Sequence, residues 1–169
     1  MIIDVPAGKD PLTYVWGELV PGIGPAAAAF SAAVYAHSTL ALREFEAARL
    51  TIARVNGCLF CLDHRTERDG EKVDSGFFDE VSAWRSSSTL EPRVALAAEY
   101  AERFATEHHR LDEEFWARFK AAYSDRELVE LSMCLGSWIA FGRLNRVTGL
   151  DEVCTVGLRR PGRVRGTVP

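Results

Sequence analysis

Residues 42–61 read LREFEAARLTIARVNGCLFC. At about 100° per residue, Leu42, Phe45, Arg49, Ile52 and Ala53 gather on one arc of a helix, with Leu50 at its edge. Arg43, Glu44, Thr51 and Arg54 face the other way. The spacing predicts a helix over Leu42–Asn56, and Gly57 ends it because glycine takes the left-handed conformation that closes a helix. Glu46 falls inside the apolar arc. A carboxylate there needs a partner or a function, and an ion pair with Arg49, three residues on, and a catalytic role are both open.

Beyond Gly57 stands Cys58-x-x-Cys61. Cys58 is expected in the first turn of a further helix running to about Asp69, where free backbone N–H groups and the helix dipole favour a thiolate. On that helix Cys58, Cys61 and Arg65 share a face, and either His64 or Arg65 is spaced to approach the Cys61 sulfur. A pair of inert buried cysteines is the plain alternative. Zinc is the sharper rival, since Cys58, Cys61 and His64 offer three ligands, with Cys134, Cys154, His37, His108 or His109 as a fourth. That fourth ligand is not specified by any spacing, and the chain is large enough to fold without a metal. We therefore expect redox chemistry at the pair, with no metal and no cofactor.

Outward from this centre the signals stay helical. Pro25 to about His37 is alanine-rich with Pro in its first turn. Phe77–Trp84 is a short helix, and Glu91 to about Thr106 carries Val94, Ala97, Ala98, Ala101 and Phe104 on one stripe. Asp112–Tyr123 and Asp125 to about Val147 follow. In the last of these, Leu128, Leu131, Leu135, Trp138, Ile139 and Leu144 mark the buried side, and Gly149 stops it. No segment shows sustained strand alternation. The expected fold is all-α, a single-domain bundle of about six to seven helices over residues 25–150. Residues 1–24 carry three prolines and four glycines and read as an irregular arm pinned by Trp16, Leu19 and Val20. Residues 151–169 read as a solvated tail, in which Arg159, Arg160, Arg163 and Arg165 show no periodicity.

The chain has 169 residues, a net charge of −4 and 47% hydrophobic residues, so an ordinary core can form while nucleic-acid and anionic-membrane binding are disfavoured. No apolar run approaches the ~20 residues of a membrane-spanning helix, and the first residues lack a signal-peptide pattern. The expectation is a cytoplasmic protein whose cysteines are not a structural disulfide framework.

Arg43-Glu44-Phe45-Glu46 followed by Ala53-Arg54-Val55-Asn56-Gly57-Cys58-Leu59-Phe60-Cys61 resembles the paired helices of the alkylhydroperoxidase-D-like branch of the carboxymuconolactone decarboxylase family. That family pattern is a Glu, eleven residues, Cys-x-x-Cys, three residues and a His. The segments 124–131 and 141–146 also resemble the final helix of its members. The resemblance implies an all-helical homo-oligomer with the cysteine pair near a subunit interface. It implies that Cys61 attacks a small-molecule hydroperoxide, Cys58 resolves the sulfenic acid to a disulfide, Glu46 starts a proton relay, and an unidentified thiol reductant resets the pair. The helix-terminus argument on its own favours Cys58 as nucleophile; His64 and Arg65 are better placed for Cys61. One departure concerns the histidine position, which is Arg65 here, with the histidine one residue earlier at His64. Arginine stabilises a thiolate but does not shuttle protons.

The expected function is that of a thiol-dependent, peroxiredoxin-type peroxidase or disulfide oxidoreductase. A zinc-binding or redox-switched helical interaction protein is the alternative. A carboxymuconolactone-type decarboxylase stands third, because the namesake enzyme lacks the cysteine pair.

Overall fold

A computed structural model describes residues 1–154, apart from the side chain of Cys154. The tail arginines lie outside the described residues. The chain opens with a one-turn helix α1 (Pro11–Thr13) that continues into a π-helical turn (Tyr14–Glu18). Helices α2 (Gly24–His37), α3 (Leu42–Asn56) and α4 (Leu59–Asp63) follow, then a two-stranded ribbon, β1 (Glu67–Arg68) and β2 (Glu71–Lys72). The remainder is helical again: α5 (Phe77–Ser82), α6 (Pro92–Glu107), a 3₁₀ turn (His108–Arg110), α7 (Glu113–Ala122), α8 (Asp125–Thr148) and α9 (Leu150–Cys154). The all-α fold read from the sequence is the observed one. Among the described residues, no helix is long and apolar enough to cross a membrane.

Helix α3 is the centre and packs against both α6 and α8. Phe45, Ala48 and Ile52 enter the main core with Ala97 and Ala101 of α6 and Leu131, Leu135 and Trp138 of α8. Ala47 and Leu50 enter a second cluster with Phe77, Val81, Val94 and Ala98. Small residues at these contacts let the helix axes approach closely, and each fully buried Phe or Leu stabilises the fold by about 1.5–3 kcal/mol. The long helix α8 starts with a capping box: Ser124 Oγ accepts from the Glu127 N–H while the Glu127 carboxylate accepts from the Ser124 N–H at 2.8 Å. Leu144, expected on the buried side of this helix, is 39% exposed.

The N-terminal arm lies on the bundle. Trp16 packs on Phe141 at 4.8 Å and donates its indole N–H to Asn145 Oδ1. A Cβ on Gly24 would fall 1.4 Å from the Trp16 carbonyl oxygen, so α2 can start against the arm only with glycine there.

The helix expected from the cysteines to Asp69 is cut short. It closes at His64, whose N–H bonds the Phe60 carbonyl before the backbone turns extended. Asp69 and Gly70, both at positive φ, then make a tight turn that pairs Glu67 with Lys72 and Arg68 with Glu71. Asp-Gly favours such a turn over helix continuation. The wheel that placed Arg65 beside Cys58 and Cys61 therefore does not apply.

Gly57 takes φ +62° and closes α3 through its N–H to the Ala53 and Arg54 carbonyls, which delivers Cys58 into the site. Gly57→Ala is expected to cost about 1–2 kcal/mol through left-handed strain. Urea unfolding at neutral pH measures it.

Candidate active site

Cys58 is the residue that caps α4: it is fully buried, and its sulfur accepts from the Cys61 N–H at 3.3 Å. Cys58 and Cys61 are disulfide-bonded, with Cα atoms 5.3 Å apart. The two cysteines differ in access. Cys61 is only partly buried and stands in the wall of a cavity of about 740 Å³, whereas Cys58 lies behind it. Trp16, Ala28, Tyr35, Phe60, Trp138 and Phe141 give that cavity a mainly apolar lining, and its polar groups include Arg49, His64, Thr66, Glu67, Asn56 and Asn145.

Glu46 is fully buried and pairs with Arg49, as one reading of their spacing allowed. Arg49 Nε donates to Glu46 Oε1 at 2.6 Å and Nη2 to Oε2 at 3.0 Å, and the Thr66 hydroxyl donates to Oε1 at 2.6 Å. Burial pushes the Glu46 carboxyl upward, but the Arg49 hydrogen bonds, its charge and the Thr66 bonds outweigh it and leave the group below its ordinary value of 4.5. The same guanidinium reaches out of α3: Nη1 donates to the Cys61 carbonyl at 2.6 Å and Nη2 to the His64 carbonyl at 2.7 Å. Arg49 thus ties the cysteine helix to the core.

His64 lies at the cavity with its ring stacked toward Phe60 at 6.5 Å and edge-on to Tyr35 at 5.7 Å. Burial and the nearby Arg49 charge hold its imidazole below the ordinary value of 6.5, which favours the neutral ring. Arg65 does not line the cavity. Its guanidinium bonds the Leu62 carbonyl and, at 2.7 Å, the His64 carbonyl, where a cation suits the end of a helix. At the other end of α4, the Leu59 N–H donates to Asp151 Oδ2 at 3.0 Å. Asp151 and Thr66 belong to the site, and spacing within the cysteine segment gave no signal for either.

Among the described residues no three His, Cys, Asp or Glu side chains are grouped so as to hold a metal ion. Cys134, one of the possible fourth zinc ligands, is buried, and that burial with the nearby Glu130 charge pushes its thiol up to about 12. His108 and His109 stand exposed in the 3₁₀ turn after α6, and His37 is exposed at the end of α2.

No protein-family model matches the sequence, and no curated protein matches it. Among solved structures, the crystal structure of a protein of unknown function from Agrobacterium tumefaciens, provisionally described as the antioxidant defence protein AhpD, aligns with a TM-score of 0.64. The match covers 89% of this chain and 97% of that one at 21% sequence identity. The fold is AhpD-like. Within this AhpD-like fold, the cysteine pair occupies the short helix that α3 and α9 hold between them.

The depressed Glu46 value sets a pH dependence. A carboxyl below its unfolded value contributes stability that is fully present above pH 4.5 and lost as the pH falls from there through the folded value. Glu46→Gln leaves a buried guanidinium unpaired and is expected to cost about 3–5 kcal/mol at pH 7. The gap from wild type should narrow as the pH drops below 4.5. Urea titrations at pH 7, 5 and 3.5 test both size and sign.

Proposed function

We propose that the protein is a thiol-dependent hydroperoxide reductase working through Cys58 and Cys61. The observation that carries this reading is the unequal placement of a bonded pair, one sulfur at a cavity wall and the other buried behind it. A resolving mechanism needs that inequality. The Cys61 thiolate attacks the terminal oxygen of the hydroperoxide, an S–O bond forms as the O–O bond breaks, and the leaving alkoxide takes a proton to become an alcohol. Cys58 then attacks the sulfenic sulfur, water leaves, and the disulfide closes. A dithiol reductant, of the kind a reducing cytoplasm supplies, restores both thiols by exchange.

His64 is the proton carrier of this scheme. It is shifted toward its neutral form, stands at the cavity and can take the Cys61 proton and return it to the alkoxide. In our reading Glu46 keeps its charge and serves by holding Arg49, since three donors already occupy its carboxylate. Arg65 steadies the end of α4. The apolar lining suits an organic hydroperoxide whose hydrocarbon part fills the cavity.

Two kinds of variant test the chemistry. After hydroperoxide treatment, Cys58→Ser should accumulate a sulfenic acid on Cys61, and Cys61→Ser should form none at the site. Trapping with a sulfenic-acid probe and peptide mass spectrometry reads the result. An adduct on Cys58 alone reverses the assignment, and no adduct on either removes the peroxidase reading.

The reading includes a homo-oligomer. Helix α2 is apolar on every side yet buries only Gly24 and Val34, leaving Phe30 44% exposed, with Ile23 just before it at 71%. A helix apolar all round belongs inside an assembly. A second row on α8 exposes Val129, Met133, Leu144 and Val147. Light scattering should give a mass that is a multiple of 18.7 kDa, and a single 18.7 kDa species overturns the assembly.

A further inference from the structure

A cation beside Cys61 favours its reactive thiolate, and the structure offers a different one from the arginine its sequence neighbourhood suggests. The charged and titratable groups packed around the cysteine helix include Glu46 and Arg49 from α3, Tyr35 from α2, His64 and Arg65 after α4, Glu67 of β1, Asp151 of α9 and Arg146 of α8, whose guanidinium lies 3.8 Å from the Asp151 carboxylate. Arg65 is turned onto the Leu62 and His64 carbonyls, outside the cavity wall. His64 is shifted toward its neutral form and Tyr35 toward its protonated phenol, so neither offers a fixed positive charge. Among the described residues lining the cavity, Arg49 alone carries a fixed positive charge.

Its orientation is the second observation. Glu46 takes Nε and one side of Nη2, whereas Nη1 donates to the carbonyl of Cys61 itself. The ion pair is therefore a buried dipole with its cationic end turned to Cys61 and its carboxylate behind. A guanidinium has five N–H donors, and the protein accepts four of these here, through Glu46 Oε1 and Oε2 and the Cys61 and His64 carbonyls. The remaining one is on Nη1, the nitrogen nearest the Cys61 backbone.

We propose that Arg49 is the positioning residue of the site: it clamps the cysteine helix through the Cys61 and His64 carbonyls and biases Cys61 toward its thiolate, while Glu46 tempers that bias. The proposal rests on the peroxidase reading for its purpose, but its test involves no hydroperoxide and stands apart from that reading.

The test is alkylation of reduced Cys61 by iodoacetamide across pH 5–10 in a Cys58→Ser background, with the modified peptide quantified by mass spectrometry. Arg49→Met should raise the midpoint by about one unit, which makes alkylation near pH 7 about tenfold slower. Glu46→Gln should move it the other way, because the cation then acts uncompensated. Arg49→Lys, which keeps the charge, should stay closer to wild type than to Arg49→Met. A merely structural role predicts no such opposition. Should either single variant fail to fold, Glu46→Gln with Arg49→Met leaves no unpaired buried charge and should still show the raised midpoint. Equal or same-direction shifts in the single variants, a Lys variant matching Met, or an unshifted double variant overturns the proposal.

Discussion

A single buried guanidinium connects the parts of this molecule that carry chemistry. Arg49 is 2% exposed, in the middle of a helix whose neighbours are alanine, leucine and phenylalanine. Taking such a charge out of water costs several kcal/mol, and the cost is offset only when every donor finds a well-placed acceptor. Glu46 and the carbonyls of Cys61 and His64 accept four of its five N–H groups, and Thr66 completes the carboxylate. Arginine is suited to this because its planar fork serves several acceptors at fixed angles, which a lysine ammonium on a flexible stem does not. A buried ion pair adds little net stability of its own, so the pair has its value in the groups it ties together, the Cys61 and His64 carbonyls and the Thr66 hydroxyl, which fix where the cysteine helix sits.

That constraint explains why so short a helix holds its place. Helix α4 is five residues long and buries no residue of its own, and an isolated helix of that length does not persist in water. It is held at three points. Gly57 turns the chain out of α3, Asp151 accepts from the Leu59 N–H at the start, and Arg49 takes carbonyls near the end. The central bundle behind it can be rigid because alanines on α3 and α6 let those helices approach closely, with Trp138 of α8 edge-on to Phe45 at 4.8 Å.

Cavity and assembly share an element. Helix α2 gives Ala28, Ala32 and Tyr35 to the cavity wall, and its other sides are apolar and open. A subunit covering those sides would also shield one wall of the cavity from water, and exclusion of water strengthens electrostatic interactions inside a site. Assembly and thiol chemistry would then be linked through one helix.

What the sequence determined by itself is local. The 3.6-residue recurrence of Leu42, Phe45, Arg49 and Ile52 with Gly57 as terminator defines α3, and the same logic marks α6, α7 and α8. Periodicity is a property of neighbouring residues, so it also showed Glu46 and Arg49 on the buried arc and put two cysteines in one segment. Tertiary structure alone decided which partners those groups meet. Thr66 reaches Glu46 across 20 residues and Asp151 reaches Leu59 across 92. Arg65 looked like the cation beside Cys61 only while the helix was taken to continue past His64; the backbone turns extended there, Arg65 folds onto the Leu62 and His64 carbonyls, and it is Arg49 that bonds the Cys61 carbonyl. Spacing along a helix fixes which residues share a face, whereas the contacts of a buried charge are chosen by the elements that fold over it, and no local pattern encodes those.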